Sequence, residues 1–189
     1  MIKNYYKDDY SRFVRLNGKG RVVDDICYIG DYYILPLDKE GKKKTNLVNM
    51  VFAVGLMLIQ VAAGMVNQDS SRTFWIVYPY LFLFLPLAYL FIGAVSYWSD
   101  PLKMQKAQYE TGLARMRRSC IGAMVLTVIS AVLDGIYMVL HHAEIRMDRE
   151  LLYLLCHILF LAAAFLYTRY YNKTYGGLRI EKSEHKAEE

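Results

Sequence analysis

Four long stretches almost free of charge dominate this chain: Asn46–Val66, Phe74–Trp98, Cys120–His142 and Glu150–Tyr170. A hydrocarbon core about 30 Å thick is crossed by ~20 apolar helical residues. A soluble core rarely needs four such runs, so the pattern predicts a membrane protein. The mean hydropathy of +0.15 hides this, because the charges are gathered at residues 1–45, 97–118 and 169–189. The first run follows some 45 polar residues and carries no small-residue cleavage pattern, which reads as an uncleaved span and not as a secretory signal.

The cations set an orientation. Ten of the 23 Lys and Arg residues precede the first run, five lie between the second and third, and five follow Tyr167; only Arg72, Arg146 and Arg149 occupy the other two loops. The positive-inside rule then places both termini in the cytoplasm, as an even number of spans requires. Trp75 and Trp98 bracket the second run and are expected at the two interfacial belts, with Tyr97, Tyr167, Tyr170 and Tyr171 at the inner one. The expected fold is therefore an all-α integral membrane bundle of four transmembrane helices, in the cell membrane and most simply a bacterial inner membrane.

Three regions follow. Residues 1–45 form a cytoplasmic N-terminal segment, 46–170 the transmembrane domain and 171–189 a cytoplasmic tail. In the first, Asn17-Gly18 suits a tight turn between Phe13–Leu16 and Arg21–Tyr28, with a third strand at Tyr32–Leu35. This small β element is too short for its own core and is expected to lean on the membrane face or on a partner. Lys42, Lys43 and Lys44 stand just before the first span, where they fix topology and can bind anionic lipid headgroups. The loop 100–118 opens on Asp100-Pro101, a good cap and first turn, and spaces Leu102, Tyr109, Leu113 and Met116 for an amphipathic inner helix; the alternative is that it extends the third span. Pro79 and Pro86 can kink the second span.

The polar residues inside the last two spans are the candidate site. Thr127, Ser130, Asp134, Tyr137 and His141 recur at steps of three and four, and Glu150, Tyr153, His157 and Ala164 form a comparable stripe. A short loop centred between 142 and 149 would make the two helices an antiparallel hairpin. It would set Asp134 level with His157, and His141 level with Glu150. A lone carboxylate at mid-bilayer costs about 2.5–3.5 kcal/mol, so an intramembrane Asp134–His157 pair is expected, with Gln60, Tyr78 and Tyr80 completing a polar layer. Such a pair either locks helices together or carries a proton. A metal site from Asp134, His157, His141 and Glu150 is the weaker alternative, because no HxxxH spacing exists.

Other chemistry is missing from the sequence. Cys27, Cys120 and Cys156 form no CxxC, and there is no GxSxG, Walker A, GxGxxG or HExxH. No cofactor and no nucleic acid is implied. The expected role is a non-enzymatic scaffold, accessory or regulatory subunit, bound to lipid and to a protein partner or a second copy of itself. The alternatives are a proton-coupled transporter or channel subunit using the Asp–His pair, and an intramembrane metal-dependent enzyme.

Overall fold

A computed structural model describes residues 6–16 and 22–183. Its frame is four helical passes, each long and apolar enough to cross a membrane. The first is α1 (Lys39–Gly64). The second is α2 (Phe74–Phe82) followed by α3 (Phe84–Ser99). The third is α4 (Lys106–Tyr109), a π turn at Glu110–Ala114 and α5 (Arg115–Leu140). The fourth is α6 (Met147–Tyr175).

The helices are apolar outside and mixed inside. On α1, Leu47, Val51, Val54, Leu58 and Val61 face outward, while Asn46, Asn49, Ala53, Leu56, Gln60 and Ala63 are buried. On α6, Leu151, Leu155, Ile158 and Leu166 face outward against buried Glu150, Tyr153, His157, Phe160, Ala164 and Tyr167. Both stripes repeat at steps of three and four, the period of one helical face. In a bilayer the apolar face has nothing to gain by hiding, so small and polar residues make the interior.

The hydrogen-bond ladder of the second pass is interrupted around Leu83, although Leu83 keeps helical dihedrals and bonds both Pro79 and Leu87. Pro86 has no amide to give to the carbonyl one turn before it, and Pro79 sits inside α2. The break is bridged from α1: Gln60 Nε2 donates to the Tyr80 carbonyl at 3.1 Å, and the Tyr80 hydroxyl donates to the Gln60 carbonyl at 3.3 Å. Tyr78, expected in the same layer, is instead exposed on the bundle's outer surface.

Strands gather at one end of the bundle. A hairpin pairs β1 (Tyr10–Leu16) with β2 (Val22–Tyr28), Tyr10 opposite Tyr28 and Leu16 opposite Val22. The Asn17-Gly18 turn lies outside the described residues. The expected third strand, β3 (Tyr32–Ile34), does not extend this hairpin. It is the centre of a separate antiparallel sheet between β4 (Lys103–Gln105) and β5 (Arg179–Glu181). The N-terminal segment, the loop between passes two and three, and the C-terminal segment therefore meet at this sheet end. Tyr28 links the two sheets: its hydroxyl accepts from the Lys106 amide at 3.0 Å, and its carbonyl accepts from the Ser183 hydroxyl at 3.2 Å.

Three expectations are corrected here. The Asp100-Pro101 pair does not start a helix; Asp100 ends α3, and the following residues enter β4. The loop helix does not lie along the interface but runs through the π turn into α5, the alternative reading of that segment. Gly112 in the π turn and Gly93 on α3 allow this close passage, since a Cβ on Gly112 would lie 2.9 Å from Asp100 Oδ2 and one on Gly93 2.8 Å from Met116 Cγ. The third correction concerns Lys42. Asp38 caps α1 through the Gly41 amide, so Lys42 falls in the first turns of the helix. Its ammonium is turned inward and not toward headgroups. Nζ donates to the carbonyls of Tyr97, at 3.1 Å, and of Asp100, and lies 4.1 Å from the Tyr97 ring centre. Asn46 Nδ2 takes the Trp98 carbonyl at 3.3 Å. Side chains of α1 thus cap the C-terminus of α3, where positive charge also suits the helix dipole. Lys43 and Lys44 remain exposed.

Replacing Lys42 by Met should lower the unfolding free energy in detergent by about 1.5–3 kcal/mol, the cost of losing charged hydrogen bonds to buried carbonyls. Lys43→Met should change it by less than about 0.5 kcal/mol. Thermal unfolding of the two variants, side by side, checks the contrast.

Candidate functional site

The bundle interior has two polar zones separated by an apolar layer. Toward the sheet end, Asn49 joins two tyrosines of α6: its Nδ2 donates to the Tyr175 hydroxyl at 2.9 Å, and its Oδ1 accepts from the Tyr167 hydroxyl at 3.2 Å. The Tyr171 hydroxyl reaches the Leu113 carbonyl at 3.1 Å, and Thr45 Oγ1 lies 3.2 Å from the Tyr97 hydroxyl. Tyr97, Tyr167 and Tyr171 were expected as interfacial anchors. They are buried instead and point into the bundle, because their hydroxyls find fixed partners there. Ala53, Leu56, Leu83, Leu87, Ala123, Phe160 and Ala164 form the next layer, all 0–1% exposed.

Beyond that layer, at the end opposite the sheets, lies the second polar zone. Asp134 and Glu150 are both fully buried. They act on one another directly, with Ser70 beside Asp134. Ser70 belongs to a turn at Asp69–Arg72 between the first two passes, and its amide donates to Glu150 Oε1 at 2.9 Å. Neither oxygen of Asp134 meets a partner at full hydrogen-bond geometry, although the Ser70 side chain and the Glu150 carboxyl stand within reach of it; Glu150 Oε2, Ser70 Oγ, Ser130 Oγ and His157 Nε2 likewise lack one. No ion pair reaches either carboxyl among the described residues. Two adjacent carboxyls without a cation cannot both ionise at low cost, so the arrangement is suited to holding a proton between them.

The expected Asp134–His157 bond does not form. His157 Nδ1 lies 3.0 Å from the Tyr153 carbonyl of its own helix, and the Tyr153 ring packs edge-on against the imidazole at 4.4 Å. His141 does not meet Glu150 either; it stacks on Tyr137 at 4.4 Å, with Nδ1 3.2 Å from the Tyr137 carbonyl. The reason is register. The connector occupies 141–146, and Cys120 Sγ meets the Ala164 carbonyl at 3.6 Å, while Leu113 meets Tyr171. Fourteen residues beyond Cys120 is Asp134, and fourteen before Ala164 is Glu150. The hairpin is offset by seven residues, two helical turns, from the register centred on 142–149. Both stripes stay buried under such a shift, so polar residues still face polar residues, but each has a different partner.

Ser130 and Thr127 continue the zone along α5, both fully buried, and Tyr137 and His141 are half-buried at its edge. Gln60 and Tyr80 border it from α1 and α2. Beside it is a cavity of about 170 Å³ lined by Gly64, Gln68, Ile76, Tyr80, Leu81 and Tyr153, room for several waters at about 30 Å³ each. Tyr153, buried on the same face of α6 as Glu150 and His157, is the α6 side chain that lines this cavity. No group of three or more His, Cys, Asp or Glu side chains gathers as metal ligands among the described residues. The four-residue metal set considered from sequence is thus not brought together.

Ser70 was the residue that sequence reasoning missed. It is one polar residue in the loop "NQDSSR", and only its tertiary contact with Glu150 distinguishes it. Beside it, Asp69 clasps together the two loops at this end of the bundle. Asp69 Oδ2 accepts from the Arg146 amide at 2.9 Å, Asp69 Oδ1 accepts from the guanidinium at 3.2 Å, and Arg146 Nη2 also reaches the Asn67 carbonyl at 3.0 Å.

No protein-family model matches the chain, and no curated protein or solved structure shows significant similarity to it.

Two outcomes are expected at this end. Glu150→Ala should destabilise by about 1–3 kcal/mol, since the buried Ser70 amide loses its acceptor. Glu150→Gln should cost less, and Asp134→Asn should raise the unfolding midpoint, because an amide can donate to the unpartnered Glu150 oxygen. Detergent melts of the three variants would refute this ordering if Asp134→Asn were the most damaging. The second outcome concerns acid. The Arg146 amide and guanidinium hold the Asp69 carboxyl below the ordinary carboxylate range. Its contribution is complete above the unfolded value and disappears as pH falls through the lowered folded value. The loop clasp should therefore survive mild acid and open only below that range, read by pH-dependent amide exchange at Arg146.

Proposed function

We propose that this chain is a small multi-pass membrane protein that acts without catalysis, as a scaffold, accessory or regulatory subunit. Its sheet end would face the cytoplasm of a bacterial inner membrane, in keeping with the cations concentrated there. The observation that carries the reading is the strand platform at that end. Four helices cross a bilayer without it. Yet three separate segments of the chain are drawn into one sheet there, with a hairpin of two seven-residue strands beside it. Both hairpin strands have an open edge, and β4 and β5 are edge strands. Ile26 on β2 and Ile180 on β5 are more than 60% exposed, apolar side chains on strands that a partner strand could cover.

Purification from native membranes in mild detergent should recover one protein in fixed ratio, and Ile26→Glu with Ile180→Glu should release it while leaving the helical melt unchanged. A monodisperse chain with no crosslinked partner, before and after substitution, would refute the proposal.

The Asp134–Glu150 contact favours a second reading, proton-coupled movement of a small substrate. The apolar layer at Leu56, Leu87 and Phe160 separates the two polar zones, so transport would require the bundle to rearrange, with the break at Leu83 as the natural hinge. In liposomes this reading requires a pH-dependent flux that Asp134→Asn abolishes; an unchanged flux removes it.

A further inference from the structure

A second cavity, of about 250 Å³, lies at the sheet end of the third pass and plays no part in the functions above. It is lined by Tyr6, Glu110, Thr111, Arg115, Arg118 and Ser119. We propose that it binds the phosphate of an anionic phospholipid.

The electrostatics favour an anion. Two guanidiniums line the cleft, and neither is within ion-pair distance of a carboxylate among the described residues. The one acid in the lining, Glu110, accepts the Tyr6 hydroxyl at 2.8 Å, and against two guanidiniums it still leaves the cleft net positive. Thr111 Oγ1 gives its proton to the Ala107 carbonyl at 2.8 Å, and Ser119 adds a hydroxyl at the base of the cleft. Guanidinium forks match phosphate oxygens two at a time, so a pair of them selects phosphate over a single-point anion.

Position identifies the source of that phosphate. Arg118 stands two residues before the apolar run that begins at Cys120, at the boundary between polar and hydrocarbon surface. Arg115 lies over the ring of Tyr89, itself exposed on the outer face of α3, with 6.0 Å to the ring centre. From Arg118 the same face of α5 continues as Ile121, Val125, Val128 and Val132, all exposed and apolar. Acyl chains lying on that stripe would bring their own headgroup to the cleft. A volume below the ~300 Å³ of ordinary small-molecule pockets suits a headgroup whose tails stay outside. Lys43 and Lys44 add a diffuse positive surface, but only this cleft has shape.

The test uses the full chain in neutral detergent, with phosphatidylglycerol or phosphatidylcholine added and retained lipid read by native mass spectrometry. The wild-type chain should retain phosphatidylglycerol at least ten-fold better. Arg115→Gln with Arg118→Gln should abolish that preference, whereas Arg117→Gln, outside the cleft, should keep it. Lysine at positions 115 and 118 preserves charge and remains readable if the glutamine variant fails to fold; retention should then fall several-fold through loss of the forks. Undiminished binding in either double variant overturns the assignment, as does equal loss in Arg117→Gln, which would mean diffuse charge. Complete displacement by millimolar inorganic phosphate would also overturn it, marking a site for the free anion.

Discussion

A polar group in hydrocarbon has no water to fall back on, so its partners must come from the protein. That constraint organises this bundle more than any apolar contact does. Lys42 and Asn46 are drawn inward because the carbonyls ending α3 need donors. Asn49 sits between Tyr167 and Tyr175, supplying each with the complementary half of an amide. Gln60 lies across the break that prolines open in the second pass. Each of these α1 residues settles a polar debt on another helix, and together they make α1 the organising element of the interior.

The constraint is met unevenly. At the sheet end most buried polar groups have a partner, with Asn46 Oδ1 and Asp100 Oδ2 left without one, and three chain segments are stitched together by strands. At the far end, Ser70, Ser130, Asp134, Glu150 and His157 all retain a buried atom without one. An isolated structural lock would be expected to satisfy its own groups, since a half-satisfied network is worse than an apolar core. The contrast between the two ends, and not the mere presence of acids, separates the carboxyl zone from ordinary helix packing.

Much of this was legible in the sequence, and the failures share one cause. The four passes follow from charge-free length alone, and the inward position of Thr127, Ser130 and Asp134 from their spacing, because both depend on local periodicity. Partners across helices do not. A hairpin of two striped helices can slide by seven residues and still bury both stripes, so periodicity leaves open whether Asp134 meets His157 or Glu150. Only the connector and contacts such as Cys120 with Ala164 break that degeneracy. The tyrosines failed for a related reason. A tyrosine looks the same in sequence whether it anchors at a belt or donates inside, and Tyr97 and Tyr167 differ from exposed Tyr78 by the presence of Thr45 and Asn49, which lie far away in the chain. Lys42 looks in sequence like one of three equivalent cations, although helical geometry gives each of three successive residues a different direction.

The uneven stitching also bears on where motion can originate. Sheet pairing and the Lys42 cap hold the first, second and fourth passes together at one end. At the other end, the loop before α2 is held by the Ser70 amide on Glu150 and by Asp69 on Arg146. Both contacts tie that loop to the start of α6, at Arg146 and Glu150. The helix that follows the loop is α2, joined to α3 through a ladder that Pro86 interrupts and bordering the cavity at Ile76, Tyr80 and Leu81. Those contacts at the start of α6 thus hold in place a helical segment with an interrupted ladder behind it and a void beside it, so loosening them would act first on α2.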